Sequence, residues 1–197
     1  MSSRLSAEIA VLAAQWVAEE GMEYGQAKRK AAQSLTGRLR ASELPSNELV
    51  EDEVCAHLAL FQSDTQPGEL VALRNLALRW MLRLEDFRPH VGGAVWRGTA
   101  NRHSSIRIDL YCDDPKSAEI GLVNWGVQFD TDELCDERGH CYSVLSLAER
   151  CAGLEDPVTL HLSVRDLNDL RGALKPDQRG RSWRGDVASL QRLLAER

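Results

Sequence analysis

At 197 residues, with 43% hydrophobic and 27% charged side chains, the chain holds enough material for one large globular domain or two small ones. A net charge of −6 argues against generic binding to a nucleic-acid backbone, and no apolar run reaches membrane-spanning length, so neither DNA nor a membrane is an expected partner. The first residues lack the order of a secretory signal, and five cysteines (Cys55, Cys112, Cys135, Cys141, Cys151) stand without close pairing, which predicts reduced thiols and a cytoplasmic setting.

Helices come first. Residues 7–20 are rich in Ala, Glu and Leu without a breaker, and Gly21 ends the run as a C-terminal cap. A second helix is predicted over 24–35. Pro45-Ser46-Asn47 then precedes an acidic first turn, and Val50, Val54, Leu58 and Phe61 form an apolar stripe. After the turn at Gln66-Pro67-Gly68, Leu70, Leu73, Ala77, Trp80 and Leu84 fall at helical spacing, with Arg74, Arg79 and Arg83 outside the stripe. Trp80 on such a stripe reads as core.

From Pro89 the periodicity changes. Ile106, Ile108, Leu110 and Cys112 alternate with Arg107, Asp109 and Tyr111, the pattern of a half-buried strand over 106–112. Asp114-Pro115 opens a helix over 116–124. Further strands are predicted at 127–130, 142–147 and 158–164, and a final helix at 186–194. Asp166 reads as a helix N-cap with Asp169 at the third position. The expected fold is α+β: a small mixed sheet with flanking helices in residues 89–197, preceded by a helical N-terminal region, 1–88.

The stretch 88–114, RPHVGGAVWRGTANRHSSIRIDLYCDD, carries the densest chemistry. Gly92-Gly93 would let a backbone approach phosphate closely, with Arg97 as a cation and Ser104 and Ser105 as hydroxyls ahead of the strand. The plainer reading is a turn after Pro89. On the strand, Ser105, Arg107, Asp109 and Asp113 share the polar face. Asp109 and Asp113 are candidate metal ligands, whereas Arg107 beside Asp109 favours an ion pair between those two. Cys135, His140, Cys141 and His161 lack the short C-x2-C clip of a zinc site, and His103 reads as an exposed loop residue. Basic stretches at 28–30 and 165–184 read as solvated faces.

The segments ALRNLALRWMLRLEDFRPHVGGAVWRGTANRHSS, IRIDLYCDDPKSAEIGLVNWGVQFD and LHLSVRDLNDLRGALKPD resemble a bacterial family of nucleotidyltransferase-like proteins. EEGMEYGQAKRKAAQSL and LALFQSDTQPGEL extend the resemblance over nearly the whole chain. Members have often carried the label UDP-N-acetylmuramate–alanine ligase. Such a ligase needs a G-K-[ST] phosphate loop, and no Gly-Lys pair occurs here. The resemblance implies a nucleotidyltransferase-like fold in which the glycine pair cradles phosphate and acids on the next strand hold magnesium.

The family's Ser-Asp-Ile falls at Ser104-Ser105-Ile106, followed by Arg107, so both acidic positions of the usual pair are replaced. Asp109 is an acid two residues beyond Arg107, about 7 Å along the strand. The strand 158–164 offers Thr159, His161 and Ser163 where a third acid would stand. The expectation is therefore a degenerate metal site that binds a nucleoside triphosphate or a protein partner with little or no catalysis. The alternative is an active Mg²⁺-dependent transferase with Asp109 as its catalytic acid and Asp109 and Asp113 as metal ligands.

Overall fold

The computed structural model describes residues 2–37, 43–135 and 139–196. Two compact units divide the chain: Met1–Glu69 with Thr99–Ser104, and Leu70–Gly98 with Ser105–Arg197. The division falls inside the helix Gln66–Arg83, so most of that helix counts with the sheet.

The first unit is built on α1 (Ser2–Glu20), α2 (Tyr24–Thr36) and α3 (Asn47–Phe61). Small residues let these helices approach closely: Ala10, Ala13, Ala14, Ala27 and Ala31 are all buried beside Ile9, Val17, Val50, Val54 and Leu58. Ser46 caps α3 by accepting from the Leu49 N–H at 3.2 Å, which satisfies one of the donors that a helix start leaves open. The segment Thr99–Ser104 is fastened into this unit by Asn101. Its side-chain amide donates to the Ala18 carbonyl at 2.6 Å and to Gln62 Oε1 at 2.9 Å.

The second unit takes up α4 (Gln66–Arg83) from Leu70 onward, with Leu70, Leu73, Ala77 and Trp80 buried as the spacing predicted. Arg74 departs from its expected place outside the stripe. It is buried, and its guanidinium donates to the carbonyls of Val95 at 3.0 Å and Trp96 at 3.3 Å. Those acceptors belong to α5 (Gly93–Arg97), whose last carbonyls have no helical partner of their own.

The sheet contains β1 (His90–Gly92), β2 (Ile106–Cys112), β3 (Asp130–Cys135), β4 (Cys141–Glu149), β5 (Val158–Asp166) and β6 (Arg184–Gly185). Among the described residues the order is β3-β4-β5-β2-β1-β6. β2 and β5 run parallel, and the other neighbours are antiparallel. Ile106, Ile108 and Leu110 lie on the core face with Leu145, Leu160 and Leu162. Helix α6 (Pro115–Asn124) buries Ala118 and Leu122 and is capped by Asp114, which accepts from Lys116 N at 3.0 Å. Asp166 likewise caps the turn Leu167–Asp169, which leads into α7 (Leu170–Ala173). Asp186 caps the closing α8 (Val187–Ala195).

Two expectations need correcting. The strand expected over 127–130 is instead β3, Asp130–Cys135, which shares only Asp130 with that expectation, because pairing with β4 starts with Asp130 opposite Ser146. Cys135 and Cys141 are not reduced thiols: they form a disulfide where β3 and β4 place them opposite one another. Among the described residues, no helix is long and apolar enough to cross a membrane.

Candidate functional site

The site is assembled around the end of β1. Arg88 adopts φ 47°, a conformation rare for a residue with a Cβ, and turns the chain into the three-residue strand. Gly92 is extended, and Gly93 takes φ 63°, the left-handed region, to swing the backbone into α5. A Cβ at Gly93 would lie 3.7 Å from Cδ of Arg107, and one at Gly92 would lie 3.4 Å from Cγ of Arg184. The stems of two arginines thus lie against the places where side chains of the glycine pair would stand.

Arg184 reaches this position because the segment before β6 is anchored to α5. Asp177 pairs with Arg97 at 2.8 Å, and both side chains are sealed from solvent. Burial pushes the Asp177 carboxyl up, but the Arg181 N–H, Arg97 and the Arg179 N–H outweigh it and hold the group below its ordinary value. Arg97 also donates to the Ser182 carbonyl at 3.2 Å and lies 4.3 Å from the Trp183 ring centre. Trp96 Nε1 donates to the same carbonyl at 2.9 Å.

Strand register sets the polar face. Asp130, Ser146, His161, Arg107, Gly92 and Arg184 stand opposite one another in one row across the whole sheet. The next row runs through Asp132, Val144, Ser163, Asp109 and His90. His161 Nδ1 and Ser146 Oγ share a hydrogen bond at 2.9 Å. Burial, and then the Arg107 charge, push the His161 pKa below its ordinary value against an opposing pull from Asp132. Tyr111, two residues beyond Asp109, is buried, and its hydroxyl is pushed upward by burial and then by the Asp109 charge.

Asp109 is buried and accepts a hydrogen bond from Nε of Arg184 in an ion pair. The expected pairing with Arg107 is therefore corrected. Arg184 approaches from across β1, where Gly92 has no side chain to block its stem, and its Nε meets the carboxylate. Nothing in the sequence around Trp183-Arg184-Gly185 signals this, because the short β6 exists only through its pairing with β1.

The predicted site residues do not all gather at the glycine turn. Gly92 and Gly93 adjoin Arg107 and Arg184, but Arg97 turns away into Asp177. Ser105 is half-buried immediately before β2, and Asp113 is exposed just past its end. Ser104 belongs to the helical unit, where its hydroxyl accepts from Asn101 N at 3.1 Å. A cavity of about 420 Å³ in that unit, lined by Glu19, His57, Phe61, Gln62, Thr65 and Arg102, includes none of the predicted site residues.

The resemblance puts the family's magnesium-holding acids at Ser105 and Arg107, and of the two acids expected in their stead Asp109 lies on β2 and Asp113 is exposed past its end. The donors present do not fit a two-ion clamp. The Asp109 carboxylate is already engaged by a guanidinium, and its register neighbours are His90 and Ser163 rather than acids. Among the described residues, no group of three His, Cys, Asp or Glu side chains is placed to hold a metal ion.

No family model matches the chain, and no curated protein matches it. Among solved structures, it is similar to the enzyme of "Structural Plasticity of Cid1 Provides a Basis for its RNA Terminal Uridylyl Transferase Activity", with a TM-score of 0.32 and 15% identity. The match covers 50% of this chain and 31% of that one, so the chain spans about a third of that protein's length. A likeness this low is a partial superposition and decides nothing about the chemistry.

Proposed function

We propose that the chain is a nucleotidyltransferase-like protein with a degenerate metal site, which binds a nucleotide through its phosphates and performs little or no nucleotidyl transfer. The observation that carries this reading is the Asp109–Arg184 ion pair. In-line nucleotidyl transfer needs clustered carboxylates to hold the ions that neutralise the triphosphate. Here the single acid on the polar face of β2 is neutralised from within the sheet, and Arg107 holds the position two residues before it. Gly92 and Gly93 supply the close backbone approach that a phosphate requires, with α5 following directly.

The test has two arms. Calorimetry with each common nucleoside triphosphate should detect binding by the intact chain. The same protein, offered mixed triphosphates and Mg²⁺, should release no pyrophosphate above background. Release that disappears in Asp109→Asn would overturn the reading and establish an active transferase.

A further inference from the structure

We propose that the helical unit holds a site for a free α-amino acid with an aromatic or large apolar side chain, seated in the cavity of about 420 Å³ beside the ends of α1 and α3. The site is independent of nucleotide binding, because every residue it uses belongs to Met1–Glu69 or Thr99–Ser104. A cavity of this size encloses a small metabolite. Its lining carries one carboxylate, Glu19, and one guanidinium, Arg102, with an aromatic wall of His57 and Phe61. A ligand that matches such a lining carries both charges and an apolar body. That is the constitution of an apolar amino acid.

Each part of the lining is held by its neighbours. Glu19 Oε2 accepts from Gln15 Nε2 at 3.2 Å, while Oε1 stands 3.8 Å from Nε2 of His57, so the acid adjoins the aromatic wall. The imidazole packs against Phe61, one helical turn on, with ring centres 4.7 Å apart. Phe61 is nevertheless 67% exposed, an apolar surface that a ligand side chain would cover. On the cationic side, the Arg102 backbone N–H donates to Glu69 Oε2 at 3.0 Å, and its Nε donates to Nε2 of His103 at 3.3 Å. Those two contacts fix the guanidinium and leave its Nη edge, the kind of planar donor edge that matches a carboxylate. Gln62 adds a second donor. Its Oε1 is taken by the buried Asn101 at 2.9 Å, so the Nε2 amide is the end left to the cavity. The ammonium of the ligand therefore goes to Glu19, its carboxylate to Arg102 and Gln62, and its side chain to Phe61.

Ligand-observed NMR titration of the full chain tests this with three compounds: L-phenylalanine, phenethylamine, which lacks the carboxylate, and 3-phenylpropanoate, which lacks the ammonium. L-phenylalanine should bind, and each single-charge analogue should bind about fivefold more weakly. Glu19→Gln should weaken L-phenylalanine and phenethylamine by a similar factor and leave 3-phenylpropanoate unchanged. Arg102→Gln should weaken L-phenylalanine and 3-phenylpropanoate and leave phenethylamine unchanged. Phe61→Ala should weaken all three. Analogues that bind as tightly as L-phenylalanine overturn the proposal, because the two charges are then not read. Binding of L-phenylalanine that none of the variants reduces overturns the assignment to this cavity. No saturation by L-phenylalanine up to about 10 mM, with protein shown to be folded by circular dichroism, overturns the proposal outright and leaves the nucleotide reading untouched.

Discussion

Arg184 donates through Nε to the carboxylate of Asp109 from two strands away, its side chain passing beside Gly92 on the intervening strand. The pair is only partly solvated, with side-chain exposures of 30% and 11%. An aspartate in that position serves the sheet before it serves a ligand.

Removing the negative charge at Asp109 should therefore cost stability. Asp109→Asn leaves the Arg184 guanidinium without its anion, and a loss of about 1–3 kcal/mol is expected, moderated by the exposure of the arginine. Urea unfolding of the two proteins measures it. An unchanged midpoint would show that the pair is not formed in solution.

Arg107→Asp should create the pair of carboxylates that β2 lacks, since positions 107 and 109 share a face. Mg²⁺ affinity is expected to rise by about tenfold, read by calorimetry or by competition with a fluorescent chelator. No gain would mean that the Asp109 carboxylate remains locked to Arg184 even beside a second acid.

His161 should titrate below its ordinary value of 6.5, and Arg107→Gln should raise its midpoint while Asp132→Asn lowers it. The sign for stability follows from the neutral form being favoured in the fold. As pH falls below 6.5, the unfolded chain binds a proton that the folded chain refuses, so stability declines until the folded imidazole also protonates. Imidazole chemical shifts give the midpoints, and unfolding at about pH 7.5 and about pH 5.5 gives the slope. A His161 midpoint above 6.5 would contradict the burial seen here.

The Cys135–Cys141 disulfide closes a loop of sequence separation 6 at the end of an exposed edge strand. Its reduction should remove about 2 kcal/mol of restraint on the unfolded chain. It should also speed amide exchange in β3 before other strands respond. Exchange mass spectrometry with and without a phosphine reductant reports both; equal exchange in β3 would argue that strand pairing alone holds the hairpin.

Asn101→Ala should destabilise the helical unit by about 2 kcal/mol, because it orphans the Ala18 carbonyl and Gln62 together. Thermal unfolding measures the loss, and Asn101→Asp, which cannot donate to Ala18, should not restore it.

Local periodicity made much of this architecture legible. The alternation from Ile106 to Cys112 locates β2, the Leu70–Trp80 spacing locates the buried stripe of α4, Asp114-Pro115 marks the start of α6, and Asp166 reads as a cap. Strands of three and two residues such as β1 and β6 carry no period, so only their pairing reveals them. The partner of Asp109 lies 75 positions away on one of these, beyond any local rule. Arg74 looked like solvent-facing charge, because its acceptors are carbonyls of α5 that no spacing rule connects to α4. The cysteine pairing was hidden for a related reason: Cys135 and Cys141 become neighbours only once β3 and β4 are in register.

The bond across β1 also bears on how such a sheet can change over evolutionary time. An exchange at position 184 alone leaves a buried carboxylate uncompensated, and an exchange at position 109 alone leaves the guanidinium. A lineage passing between a metal-holding face and an arginine-holding one would cross a less stable intermediate unless both positions change close together. Positions 109 and 184 should then covary among related chains, with aspartate and arginine gained or lost as a pair.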